Sequence, residues 1–202
     1  MSSSPSLQVA ADGFSTFRPI LVVVTVVAEI LQLGDPRLRV EALPVENLGA
    51  LQFRQDAARL ETTLAAFRAE QGFGRAIAAT QIGIERRLLA LELGNGPELM
   101  IHPENTWRST DTFTLWDDCT NFPSLLVKVR WHTSISVAFL DRKGTPRKWE
   151  RLDRSVSELL QHEIDYLDGI LAVDRDSLVL RNVFERDRGL FLAQVDGVSR
   201  GV

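Results

Sequence analysis

The sequence predicts an α+β fold with a largely antiparallel sheet, and three observations carry that prediction. A long helical pattern comes early, at 47–69. A run of short strands fills the middle of the chain. A late segment, 155–171, then places apolar residues at Val156, Leu159, Leu160, Ile164, Leu167, Ile170 and Leu171, the three- and four-residue spacing of one buried helical stripe. Helices and strands do not alternate regularly, which argues against a parallel βαβ architecture. With 202 residues the chain suits a single domain, expected over 21–202, behind a Ser-rich, aperiodic extension at 1–20 that is expected to be disordered.

Taken in order, 22–33 reads as a strand rich in β-branched residues, broken by Gly34-Asp35-Pro36. The apolar run 20–30 is too short to span a bilayer, which takes about 20 residues. It has the length of a signal-peptide core, but Arg18 is the one positive charge ahead of it. The helix at 47–69 takes Asn47 as its N-cap and Leu48, Leu51, Leu60, Leu64 and Phe67 as apolar positions, and stops at Gln71-Gly72-Phe73-Gly74. Small residues then surround Gln81 from Gly74 to Gly83; taken alone, they suit a tight strand–helix crossing. Strands are predicted at 87–93, 98–101, 109–116, 125–131, 134–140 and 147–152, with Asp141-Arg142-Lys143-Gly144 as a hairpin turn.

Composition narrows the partners. The net charge is −4 and no block of Lys or Arg runs along the chain, so neither nucleic acid nor an anionic membrane is expected. Cys119 is the single cysteine, which rules out an intrachain disulfide; nothing argues for secretion, and a cytoplasmic location is expected. With three histidines and one cysteine, any metal site must draw on few candidates.

The late helix carries the chemistry. His162 and Tyr166 are four residues apart and project from one side of it, while Glu163 lies about 100° further round. An imidazole to hold an ion beside a carboxylate to move protons is the kit of a metal hydrolase. The H-E-x-x-H pattern would put a second histidine where Tyr166 stands.

Three stretches in order resemble the motifs of peptide deformylases: Gly74-Arg-Ala-Ile-Ala-Ala-Thr-Gln81, Asp117-Asp118-Cys119-Thr120-Asn121 and Gln161-His-Glu-Ile-Asp-Tyr166. Flanking pieces, 30–39 and 100–104, look similar as well. The resemblance implies a deformylase-like fold, with mainly antiparallel sheets around a central motif helix. It implies removal of formyl groups from N-terminal formylmethionine by a divalent ion, Fe(II) or Zn(II), held in an open three-ligand site. By position, Cys119, His162 and Tyr166 fall at the metal ligands. Glu163 becomes the acid/base, and Gln81 with the N–H of Thr120 become the oxyanion donors.

Departures from that pattern are concentrated at the site. Tyr166 replaces a histidine, Asp117-Asp118 a Glu-Gly pair, Thr120-Asn121 a Leu-Ser pair, and Ala76 a glycine. A phenol, with a pKa near 10, must ionise to bind well, whereas imidazole near 6.5 binds with little proton cost. Tyr166 therefore either coordinates as phenolate or, the cheaper option, fills the space of the lost imidazole and hydrogen-bonds locally. Asp117 and Asp118 are alternative hard ligands. Cys119 and His162 taken singly could be a buried thiol and a core histidine. His102 and His132 are expected to be structural, and Trp107, Trp116, Trp131 and Trp149 to be core or pocket wall. Two functions follow: a metal-dependent amide hydrolase acting weakly on a formylated peptide or related small acyl substrate, or a metal-free, inactive homologue that binds or regulates.

Overall fold

A computed structural model describes residues 26–175 and 180–182. Among the described residues, eight strands and two α-helices form an α+β fold in two antiparallel sheets. The larger sheet has the order β1 (Ala76–Ala78), β2 (Leu88–Glu92), β3 (Pro97–Arg108), β6 (Ile135–Leu140), β7 (Pro146–Trp149). The smaller runs β4 (Thr112–Asp118), β5 (Leu125–His132), β8 (Leu180–Asn182). Helix α1 spans Leu51–Gln71 and α2 spans Arg154–Leu167. Among the described residues no helix is long and apolar enough to cross a membrane.

The pleat of the larger sheet divides the core in two. Leu88 and Ala90 of β2, with Leu99 and Ile101 of β3, face α1 and meet Phe53, Ala57, Leu60 and Leu64. Their neighbours Leu89, Leu91 and Met100 face the other way. There they join Leu160, Ile164 and Tyr166 of α2 and Val127, Val129 and Trp131 of the smaller sheet. Successive strand residues point to opposite faces, so one strand can serve both clusters. Helix α2 thus lies in a core that both sheets share.

The local signals for α2 are strong. Asp153 caps it, its carboxylate accepting from the N–H groups of Ser155 at 2.8 Å and Val156 at 3.0 Å. Gly169, with φ of +71°, lets the chain leave; a Cβ there would meet Arg39 O at 2.6 Å. Gln161 fastens the helix to β5, accepting from His132 N–H and donating to His132 O, both at 3.0 Å. Thr80 donates to the carbonyl of Tyr166 at 2.9 Å.

Several sequence expectations are revised. Residues 26–33, the described part of the first predicted strand, adopt no regular structure. N–H groups of this segment find partners outside any sheet: Ala28 N donates to Thr63 Oγ1 of α1, Leu31 N to Gln81 O and Leu33 N to Asn121 O. Helix α1 begins at Leu51 behind Ala50, because Asn47 spends its side chain on the N–H of Gly49 in the preceding turn. Leu51 faces solvent. The small-residue run contains a strand, β1, followed by a 3-10 turn, Ala79–Ile82. The predicted hairpin turn is present, with Asp141 accepting from Lys143 and Thr145. The extension 1–20, the signal-peptide reading up to residue 25 and most of the chain beyond Arg175 lie outside the described residues.

Removing the Asp153 cap leaves the first-turn N–H groups of a buried helix without their acceptor. Asp153→Ala should lower unfolding free energy by about 1 kcal/mol with an unchanged denaturant m-value. A change under ~0.3 kcal/mol in urea unfolding would show that the cap is not holding the helix.

Candidate active site

The site is assembled from three elements. Strand β4 alternates inward-facing residues, so Leu115 and Asp117 lie on its buried side, and Cys119, the residue just past its end, is buried as well. The 3-10 turn after β1 presents Gln81. Helix α2 presents His162, Glu163 and Tyr166. A cleft of about 480 Å³ is lined at its base by Gln81, Asp117, Cys119, Thr120, His162 and Glu163. The predicted site residues are therefore brought together, with one displacement: Tyr166 is fully buried and does not line the cleft.

Cys119 and Tyr166 are in direct contact, Sγ to OH, at 2.9 Å. Burial drives the Tyr166 phenol well above its usual pKa of 10, and the neighbouring thiol pushes in the same direction. His162 Nδ1 is 2.9 Å from Asp117 Oδ2, which also accepts from Trp131 Nε1 at 3.3 Å. Burial disfavours charge on His162. The Asp117 carboxylate, aided by a side-chain hydrogen bond with Cys119, outweighs it and lifts the pKa well above 6.5.

Glu163 is buried, and its Oε2 has no hydrogen-bond partner. Burial raises its pKa to about 7; Asp117 and Glu158 add to this, against the pull of His162 and an Ala78 backbone hydrogen bond. A carboxyl titrating there can both give and take a proton at neutral pH. Gln81 Oε1 accepts from Ala78 N–H at 2.6 Å, which orients the amide. Its Nε2 donates to Asn121 Oδ1 at 2.6 Å and lies 3.3 Å from Thr120 Oγ1 and 3.8 Å from Cys119 Sγ. Asn121, fully buried, in turn donates to Leu31 O at 2.5 Å.

Two partners escaped the sequence reading in the role they have. Asp117, weighed there as a ligand, orients His162 instead; strand alternation with Cys119 was the available signal. Asn121, noted only as a replacement, anchors Gln81, and no sequence pattern marks that. His102 and His132 have local tasks. His102 Nε2 accepts from Val45 N–H, and His132 Nδ1 bonds Ser109 O, each at 2.7 Å. Trp131 is core, and none of the four tryptophans lines the cleft.

The sequence pattern of the polypeptide deformylase family matches residues 27–181. The chain belongs to the peptide deformylase family. A peptide deformylase of Chromohalobacter salexigens is 31% identical over 169 residues, covering 80% of this chain and 95% of the relative. The crystal structure of peptide deformylase from Thermotoga maritima superposes with a TM-score of 0.67 at 30% identity, over 75% of this chain and 98% of that one. An actinonin-bound class I type b peptide deformylase from Acinetobacter baumannii gives a TM-score of 0.66 at 26% identity, over 76% and 100%.

The donor set does not fit the three-ligand ion site that the deformylase resemblance implies. The Tyr166 hydroxyl is spent on Cys119, and burial opposes its ionisation. Asp117 is engaged by His162. Among the described residues no group of three or more His, Cys, Asp or Glu side chains is placed to hold a metal.

The raised pKa of Glu163 makes a signed prediction. Its carboxyl titrates near 4.5 unfolded and near 7 folded, so the unfolded state releases this proton first, and stability falls as pH rises across that window. His162 acts in the same direction, its stabilising proton being lost as pH climbs through its raised folded value. Glu163→Gln removes the carboxyl contribution. Between pH 4.5 and 8 the stability difference between variant and wild type should therefore move by about 3 kcal/mol in the variant's favour. Urea unfolding at the two pH values measures it, and a constant difference would refute the buried-acid reading.

Proposed function

We propose that this chain is a deformylase-type amide hydrolase whose cleft receives the acylated N-terminus of a peptide, with weak turnover on formyl-methionyl substrates. The observation behind the reading is a site half kept. Glu163, its Oε2 unpartnered, and Gln81, with an N–H beside Cys119, stand where an acyl group entering the cleft would meet them. Glu163 is the proton carrier: it takes a proton from the attacking water and delivers it to the departing amine. Gln81 and the Thr120 N–H stabilise the oxyanion. The A. baumannii relative solved with actinonin supports a small-molecule site in this fold.

Weakness follows from Tyr166. The position that would complete a three-ligand site carries a neutral phenol bonded to Cys119, so ion binding there loses one of its protein donors. A second reading, a binding protein without catalysis, draws on the same contact and on the absence of a metal-holding cluster among the described residues. Metal content after anaerobic purification separates the two: about one ion per chain supports the hydrolase, and none supports the binder.

Tyr166→His restores an imidazole on the face that carries His162. The variant should gain affinity for Fe(II), Co(II) or Zn(II), and formyl-Met-peptide hydrolysis should rise with it. Adding Glu163→Ala should cancel the gain by roughly 10²–10⁴-fold, the usual contribution of a positioned acid/base. A Tyr166→His protein that binds no metal would end the reading of a site lost through one residue.

A further inference from the structure

The cleft continues beyond its reacting groups, and its wall there is charged. Ser155 and Glu158 precede His162 on one face of α2, so they stand about 10 and 6 Å from it along the helix axis. Arg75 reaches across to them from the chain just ahead of β1. Its Nη1 donates to Ser155 Oγ at 2.7 Å and Ser155 O at 3.2 Å, and its Nη2 donates to Glu158 Oε2 at 3.0 Å. Beside it, Arg68 Nη1 donates to the carbonyls of Gly74 and Glu92, and the Glu92 N–H donates to Arg75 O at 2.8 Å. Arg68, Arg75, Glu92 and Glu158 all line the cleft, two cations with two carboxylates.

We propose that this wall selects the side chain of the peptide's first residue, and that it takes a carboxamide, glutamine in preference to methionine. The inference rests on the reading that the cleft receives an acylated peptide N-terminus. Five bonds separate an acyl carbon from Cδ of the residue that carries it, about 6 Å when extended. That is the height of Glu158 above His162 on the helix. An acyl group held at Gln81 and Glu163 therefore brings the tip of its first side chain level with Arg75 and Glu158. Leu93, Val156 and Leu159 line the cleft as well and offer an apolar wall to the stem of that side chain.

Hydrogen-bonding capacity decides between candidate tips. Arg75 has five N–H donors, and among the described residues its Nε–H and one Nη2–H have no partner, in a side chain that is 25% exposed. A carboxamide oxygen can accept from them while its NH₂ donates to a carboxylate of the same wall, and it adds no net charge to a wall whose charges balance. The methionine thioether is a weak acceptor with no donor. It would take water from the Arg75–Glu158 pair without replacing the lost hydrogen bonds. A carboxylate or ammonium tip answers one sign of charge and is opposed by the other. Arg75 and Glu158 are thus residues that set specificity, apart from the groups that perform the chemistry.

The test is binding, measured by calorimetry on full-length protein with chelator present so that no peptide is consumed. The probes are formyl-Gln-Ala-Ser, formyl-Met-Ala-Ser, formyl-Glu-Ala-Ser and formyl-Lys-Ala-Ser. Wild type should bind the glutamine peptide about tenfold tighter than the methionine peptide, the return expected of a hydrogen bond to a charged group, and tighter than the other two. Arg75→Met combined with Glu158→Leu removes both charges together, so neither is left without its partner. That variant should reverse the order of glutamine and methionine. An equal loss for both peptides would reduce the pair to a strap between β1 and α2 and overturn its selecting role. The wild-type ranking needs no variant that folds. A methionine peptide bound as tightly as glutamine, or a glutamate or lysine peptide bound tightest, would overturn the inference. Methionine preference with hydrolysis of the formyl-Met peptide once metal is added would overturn this inference and uphold the proposed function. Glutamine preference with no hydrolysis under any metal would do the reverse, and no binding of any peptide would overturn both.

Discussion

Residues 157–167 of α2 are all buried, and six of them, Ser157, Glu158, Gln161, His162, Glu163 and Asp165, are polar or charged residues that water would normally solvate. An enclosed polar group without a partner costs about 1–3 kcal/mol, so this helix can exist only if the surrounding elements supply its hydrogen bonds. They do so in sequence. β5 answers Gln161, β4 answers His162 through Asp117, Arg175 answers Asp165 and Arg75 answers Glu158 at 3.0 Å. The core that holds α2 and the cleft that exposes its chemistry are thus the same set of contacts. Glu163 is the exception, with one carboxyl oxygen buried and without a hydrogen-bond partner.

Within that frame Tyr166 changes the character of the site without changing the fold. An imidazole could share an ion with Cys119. The phenol instead hydrogen-bonds the sulfur directly, with its ring buried and 5.3 Å from that of His162, centroid to centroid. A phenol held in a dry core stays neutral, because losing its proton there means burying an anion. Around it, Cys119 meets the Tyr166 hydroxyl, His162 bonds Asp117 and Gln81 bonds Asn121.

The broad fold was legible because its signals are local. The apolar stripe of α2, the glycine stop after α1 and the alternation in β6 each specify an element from a few adjacent residues. The three motif stretches named residues that the structure brings to one place, Tyr166 lying behind the cleft rather than in its lining. What escaped depends on pairings across long separations. Leu31 and Leu33 look like strand residues, yet their N–H groups are claimed by Gln81 and Asn121, about 50 and 88 positions away along the chain. Asn121 likewise reads as a plain polar substitution until Leu31 O and Gln81 Nε2 are seen on either side of it. The helical stripe also gave no warning that the polar side of α2 would be as enclosed as its apolar side.

The phenol at position 166 carries a genetic implication. Histidine and tyrosine codons differ only in their first base, so a single transition links this chain to one with imidazole on the same helical turn. Such a step is open to every population that carries the gene, and it would recur often by chance. Its effect would not be confined to one side chain, since the Cys119 partnership with Tyr166 would be withdrawn at the moment an ion-binding nitrogen arrived. If the protein depends on the contact between Tyr166 and Cys119, such variants should be steadily purged; if nothing depends on it, both codons should circulate.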